Sequence, residues 1–295
     1  MNFKTYYSNG QLGNNIGLTT GCPKFDQAIG GIQRKAIYGI AAAPKVGKTK
    51  FTDQHFVIEP YLYAIENDVD IEFIYLSYEM DRLTKEFDFA VYYMATRLGM
   101  PTTFIHKDKE YEISADYFTG GILDEDNEFV KCLPAHEELL FQAYDEFVIP
   151  LFGEYDNKGK RVKTGKMDFY RKRDNPTGIQ KMLWKHANKN GKFVKENYVN
   201  DDGRVQQKVS GYLPNNPDKY TIVITDHIRK LKAEQGMYKK QVMDKYIEYQ
   251  VDLRDLVNYT FVDIVHLNRS IGSPERIKMF STVLYPTGDD VKDSG

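Results

Sequence analysis

One stretch constrains this chain more than any other: Ala42-Ala43-Pro44-Lys45-Val46-Gly47-Lys48-Thr49. It follows the pattern G-x-x-x-x-G-K-[ST], with Ala42 where the first glycine usually stands. The apolar run Ala36-Ile37-Tyr38-Gly39-Ile40-Ala41 leads into it, and a helical pattern from Lys48 to about Glu66 follows. Strand, tight loop and helix are the context that gives such a pattern a mechanism. Backbone N–H groups near Lys45 to Thr49 can ring a phosphate, and the new helix points the positive end of its dipole at the same place. The Lys48 ammonium has the reach for β- and γ-phosphates, and the Thr49 hydroxyl can hold Mg²⁺. The plainer alternative is a Gly-Lys-Thr turn that ends a strand and binds nothing.

The 295 residues suffice for one large domain or two small ones, and 41% hydrophobic content supplies a core. No apolar run approaches a membrane span and the N-terminus lacks a signal-peptide pattern, which favours a cytosolic protein. Cys22 and Cys132 read as free thiols, and the six histidines show no zinc-like spacing with them. The net charge of −2 hides an asymmetry. From Glu154 to Lys208 about 15 Lys and Arg stand against about 7 Asp and Glu. That segment is either a polyanion contact or a solvated, charged insertion.

The first 20 residues are polar and rich in Gly and Asn, which suits an arm or linker. Thr19 to Asp26 reads as a turn into a short helix, closed by Gly30-Gly31. Glu72 to Ser77 is a second core strand, and apolar spacing predicts a helix from Asp81 to Leu98. Residues 101–218 break the alternation and read as an inserted α+β region. Within it, Glu137 to Val148 and Pro176 to Asn190 are helical, the latter capped by Asp174 or Asn175. Gly191 to Gly211 reads as a hairpin turning at Asp201-Asp202-Gly203. The core pattern returns with strand Tyr220 to Asp226, helix Met243 to Val257 and strand Phe261 to Leu267. Apolar strands alternating with helices predict an α/β fold, a parallel sheet covered on both faces. Ligands in such folds bind outside the carboxyl ends of the strands.

Glu79, Asp226, His266 and Arg269 all fall at or just past those ends, as the phosphate loop does. Asp226, closing an apolar strand, is a candidate metal ligand opposite Thr49, or else a turn former. Glu79 is either a general base for an attacking water or a helix-start carboxylate. His266 could contact a γ-phosphate or be a hydrogen-bonded core residue. The basic loop His227 to Lys232 offers Arg229, Lys230 and Lys232 to nucleic-acid phosphates. Arg269, Arg276 and Lys278 do the same after the last clear strand, and solvated charge is the alternative for both groups.

In this order the motifs resemble the RecA-like motor domain of DnaB-type replicative helicases. The carriers are Gly17 to Asp26 with Gly30-Gly31, Ala42 to Thr49, Ser77-Tyr78-Glu79-Met80, Ile222 to Asp226, and His266-Leu267-Asn268-Arg269. Ala in place of the first Gly is the usual form in that family. The resemblance covers about 1–100 and 219–295, and the insertion suggests a phage-encoded relative working in a bacterial cytosol. It implies a RecA-like P-loop core divided into 21–100 and 219–295, preceded by an arm over 1–20. It also implies ATP and Mg²⁺ as cofactors, a homo-hexameric ring around single-stranded DNA, and primase or other replisome partners. Lys48 and Thr49 would hold phosphate and Mg²⁺, Asp226 would be the acid of the Walker B strand, and Glu79 the catalytic glutamate. His266 stands where the family usually has a glutamine sensor. Aligned by this resemblance, the 295 residues would not include the family's N-terminal primase-interacting domain, and Pro286 to Gly295 resembles the point just before its last core strands and arginine finger. The alternatives are a RecA-like recombination or accessory ATPase, and a nucleotide-binding interaction module without turnover.

Overall fold

The computed structural model describes residues 2–13, 15–199 and 202–267. The chain divides into two compact units, the first formed by the described residues up to Tyr78 and from Lys172 onward, the second by Glu79–Arg171.

The first unit begins with α1 (Phe3–Gln11), α2 (Pro23–Ile29) and β1 (Ile37–Ala42). A continuous helical run follows: α3 (Lys48–Asp53), a π-helical turn (Gln54–Ile58) and α4 (Glu59–Glu66). It leads to β2 (Ile71–Ser77). The second unit holds α5 (Arg82–Arg97), the hairpin β3 (Thr103–His106) and β4 (Lys109–Glu112), α6 (Ala115–Thr119) and α7 (Pro134–Ala143). It ends with α8 (Ile149–Phe152), β5 (Gly153–Tyr155), β6 (Arg161–Thr164) and β7 (Met167–Tyr170). Back in the first unit come α9 (Pro176–Asn190), the hairpin β8 (Gly191–Val199) and β9 (Val205–Pro214), β10 (Tyr220–Asp226), α10 (Lys239–Val257) and β11 (Thr260–His266).

In the first unit β1, β11, β10 and β2 lie side by side in that order, all parallel. Successive side chains of a strand point to opposite faces, and both faces here are covered. Ile74, Leu76, Val223, Phe261 and Val265 pack on one side with Ile179 and Leu183 of α9 and Tyr246, Leu253 and Val257 of α10. On the other, the ring of Phe56 lies 5.3 Å from Tyr38 and that of Tyr61 lies 6.3 Å from Phe73. Double coverage explains why β2, β10 and β11 read as unbroken apolar runs rather than alternating ones.

The inserted region expected over 101–218 is shared between the units. Ile179, Leu183 and Ala187 recur at four-residue spacing and are buried, so α9 joins the first unit and carries the β8–β9 hairpin with it. The N-terminal arm contains the helix α1, capped by the Asn2 side chain on the Thr5 N–H, yet none of its residues is buried. Helix α10 starts four residues before the expected Met243, because Tyr238 and Gln241 form a capping box there. Cys22 and Cys132 are both free thiols. Among the described residues no helix is long and apolar enough to cross a membrane.

Two carboxyls, one half-buried and one buried, titrate in opposite directions. Burial works to raise the Glu72 pKa, but its charged partners win: His186 Nε2 at 3.4 Å and Lys219 Nζ at 2.5 Å bring it from 4.5 down to about 2, while Thr221 Oγ1 also donates to it at 2.8 Å. Asp263, buried on β11, is pushed up to about 6 by desolvation, which its hydrogen bonds from Gln250 Nε2 (3.0 Å) and Thr225 offset only in part.

Each tenfold change in proton affinity corresponds to about 1.4 kcal/mol, so ionised Glu72 contributes about 3 kcal/mol at neutral pH. Its native pKa is depressed, so that contribution is complete above pH 4.5 and is lost as pH falls toward 2. Glu72→Gln is expected to cost about that much in urea unfolding at pH 7 and little near pH 2.5. Asp263 has the opposite sign: its native pKa is raised, so stability is lost as pH climbs from 3.8 through about 6. Asp263→Asn keeps an acceptor for Gln250 and is expected to raise the melting temperature at pH 8 but not at pH 4. An unchanged difference between the two pH values would refute the assignment.

Candidate functional site

The phosphate-loop sequence forms the strand-to-helix connection expected of it. β1 ends at Ala42, whose register partner is His266 and whose carbonyl accepts from the Leu267 N–H at 3.1 Å. The chain then turns through Ala43, Pro44, Lys45 and Val46. Lys45 has φ 63° and Gly47 φ 85°, both left-handed. That conformation costs a side-chain-bearing residue and is free to glycine, which accounts for Gly47 at the start of α3. Pro44 to Gly47 are exposed, Val46 to 60%, so the loop is open to solvent.

Lys48 is 8% exposed, and its Nζ donates to the Ala43 carbonyl at 2.7 Å, so the ammonium lies across the loop. Thr49 Oγ1 donates to Asp226 Oδ2 at 3.1 Å. These residues are 177 apart in sequence, and Asp226 is 1% exposed. Thus the loop, an ammonium, a hydroxyl and a buried carboxylate converge at the carboxyl ends of β1 and β10. Such a donor set suits a phosphate carrying a divalent cation: amides and ammonium for the anion, hard oxygens for the metal.

Behind the loop lies a pair that sequence reasoning misses. Tyr75, fully buried in β2, donates from its hydroxyl to Asp53 Oδ1 at 2.7 Å. Asp53 is 5% exposed and lies four residues after Thr49, one turn along the same helix face. Desolvation, aided by the negative charges of Asp53 and Asp226, holds the Tyr75 hydroxyl well above its ordinary pKa. It is therefore a fixed donor that ties α3 to β2. The one signal in the sequence is the four-residue offset of Asp53 from Thr49.

The other expected residues are distributed as follows. His266 ends β11, its ring 4.4 Å from that of His227 and nearly perpendicular to it. His227 is joined to Asp226 by a cis peptide, and in sequence it reads only as part of a basic loop. Arg229 and Lys230 sit half-buried in a 3-10 turn (Ile228–Lys230), and burial lowers the Arg229 pKa. Lys232 is exposed, its N–H bonded to the Asp174 carbonyl at 3.0 Å. Glu79 is exposed and is the first residue of the second unit, directly after Tyr78, whose N–H bonds the Asp226 carbonyl at 2.7 Å. Arg269, Arg276 and Lys278, with Asn268, lie outside the described residues.

A cavity of about 420 Å³ lies elsewhere, within the second unit between α5 and α7. Its lining is mainly apolar, and its one strong charge pair, Arg82 with Glu86, is closed on itself, the guanidinium lying 3.6 Å over the Tyr155 ring. Volume alone does not select that cavity over the loop, where the reactive groups converge.

No family model matches the chain, and no curated protein matches it either. Solved structures do. The structure of a DnaB-like replicative helicase, described with its interactions with primase, aligns at a TM-score of 0.59 and 14% identity. That alignment covers 99% of this chain and 52% of the other, so the chain spans about half the length of that helicase. An ATPase domain from phage SPP1 aligns at a TM-score of 0.55 and 15% identity, over 99% of this chain and 76% of the other. The chain has a RecA-like α/β fold. In that RecA-like core, the loop after β1 and the end of β10 are the two edges of the candidate site.

Tyr75→Phe removes one hydroxyl and leaves the buried Asp53 carboxylate short of a donor. Loss of a hydrogen bond to a buried charged group is expected to cost about 2 kcal/mol in denaturant unfolding. The double variant Tyr75→Phe, Asp53→Leu should recover part of that loss.

Proposed function

We propose that this chain is the motor domain of an ATP-dependent DNA helicase, hydrolysing ATP to translocate on single-stranded DNA during phage DNA replication. The observation that carries the reading is the 3.1 Å hydrogen bond between Thr49 and Asp226, which brings together the helix after the loop and the acid that ends β10. The likeness of the fold to helicase ATPase domains supports it.

In this reading the amides of Lys45 to Thr49 bind the phosphates, and Lys48 leaves the Ala43 carbonyl for a phosphate oxygen. Thr49 and Asp226 hold Mg²⁺. ATP·Mg²⁺ supplies the transferable phosphoryl group and a cation that offsets its charge. Glu79 orients the attacking water and takes its proton on the carboxylate. His266, at the end of β11 beside Ala42, acts as the residue that feels the γ-phosphate. Arg229, Lys230 and Lys232, with Arg269, Arg276 and Lys278, contact the DNA strand. The working assembly is a homo-hexamer around that strand, with primase-type proteins as its partners.

The test is ATP hydrolysis with and without single-stranded DNA. The unmodified chain is expected to show DNA-stimulated turnover, and Lys48→Ala to abolish it. Glu79→Gln should keep ATP binding and lose roughly 10²–10⁴-fold in turnover, the range for a general base. A folded chain that neither binds ATP nor responds to DNA would overturn the proposal.

A further inference from the structure

The basic segment has no part in the nucleotide site, yet its charge is organised. Helix α9, strand β8 and strand β9 together carry six lysines (Lys181, Lys185, Lys189, Lys192, Lys195, Lys208) and a single acid, Glu196. The whole chain has 42 acidic and 40 basic residues, so an ordinary solvated face of this protein would carry both signs about equally. The 15 residues of α9 include no carboxylate.

The lysines are also arranged in line. Lys181, Lys185 and Lys189 recur every fourth residue and are all exposed, opposite the buried Ile179, Leu183 and Ala187. Four helical residues advance about 6 Å, so the three ammonium groups form one stripe along the helix. The helix dipole accounts for Lys189 in the last turn, but it gives no reason for Lys181 or Lys185. The chain passes straight from α9 into β8, where Lys192 and Lys195 are exposed. None of these five lysines makes an ion pair among the described residues.

The hairpin that follows α9 packs on it at its base. There Phe193 stacks on Trp184 at 4.4 Å and packs against Tyr212 at 5.2 Å. Beyond that, Lys195 to Val199 and Val205 to Lys208 are exposed on both faces of the ribbon. Its side chains there include Asn197, Gln206 and Gln207, residue types that bond phosphate and sugar oxygens. Tyr198 is 38% exposed and pairs with Gln206, with the Lys208 ammonium 5.7 Å over its ring.

We infer that the exposed stripe of α9 and the β8–β9 ribbon form a track for the phosphodiester backbone of a nucleic acid. An extended row of unpaired cations on a helix and a ribbon is complementary to a polymer with evenly repeated negative charge, rather than to a compact anion. Amide side chains and one aromatic ring alongside match how proteins hold such a backbone. This track uses none of Arg229, Lys230 and Lys232, although Asp174 and Thr177 at the start of α9 bond to Lys232 and Glu234, and it requires neither ATP binding nor turnover.

The experiment is fluorescence anisotropy with the full chain, without nucleotide, using a labelled oligonucleotide as single strand and as duplex across a salt series. One variant carries Lys181, Lys185, Lys189, Lys192 and Lys195 each changed to Gln. A control changes the same amount of charge in the second unit, at Lys131, Lys158, Lys160, Lys163 and Lys166. The track variant is expected to bind at least 10-fold more weakly at moderate salt. Its slope of log affinity against log salt should fall by about 3.5 for a single strand, at roughly 0.7 for each of the five phosphates no longer neutralised. Weakening on the single strand alone identifies one strand as the ligand, and weakening on the duplex alone an intact helix. Lys181→Glu with Lys185→Glu, confined to α9, repeats the test should the larger variant melt early. The inference fails if the track variants match the parent on both forms, if the control weakens as much, or if the parent binds neither. Lys48→Ala should retain the binding, which separates this result from that of the nucleotide site.

Discussion

Asp226 reaches Thr49 because of strand parity. Alternate residues of β10 point to opposite faces, so Val223 enters the layer under α9 and α10, while Asp226 enters the layer of α3. On β2 the same rule sends Ile74 and Leu76 one way and Tyr75 the other, toward Asp53. On β11 it sends Asp263 toward Gln250 of α10. A slip of one residue in β10 would turn Asp226 away from the loop and bring Thr225, now bonded to Tyr246 at 2.8 Å, into its place. The site depends on register, and register depends on burying both faces of the sheet. The continuous apolar runs of the strands are therefore also what aims the carboxylate.

This explains which parts could be read from the sequence. The strands ending at Asp226 and His266, the loop before Lys48 and the capped helix after Asn175 each carry a local pattern, and each lies within a residue or two of its expected position. The pairing of Asp53 with Tyr75 has no local pattern, because it depends on two elements meeting across the layer. The unit boundary is hidden for a related reason. Composition marks where an alternation stops, whereas the buried stripe Ile179, Leu183 and Ala187 decides that α9 packs on the sheet. The π-helical turns at Gln54–Ile58 and Tyr144–Val148 interrupt helices whose apolar spacing still reads as regular.

The first unit separates its charges by function. Near the loop, charge is local and mutual: Thr49 with Asp226, Tyr75 with Asp53. At the opposite ends of the strands Glu72 is bound by Lys219 and His186, a closed network that serves stability. Along α9 and the ribbon the lysines have no such partners among the described residues. Their hydration is lost least when the partner is another extended, well-hydrated polymer, so leaving them unpaired is compatible with stability and useful for association.

Glu79 occupies a particular place in this scheme. The residue before it, Tyr78, is bonded through its N–H to the Asp226 carbonyl, so the chain leaves the sheet fixed to the end of β10. Two residues after it, Asp81 caps α5, its carboxylate accepting from the Thr84 N–H at 2.9 Å. Glu79 and Met80 are thus a two-residue span bracketed by a sheet hydrogen bond and a helix cap. A proposed base must be placed within hydrogen-bond reach of its proton, and short tethered spans restrict the backbone more than long loops do. The second unit enters the chain at this span. Lys48, Thr49 and Asp226, by contrast, are set by β1, α3 and β10.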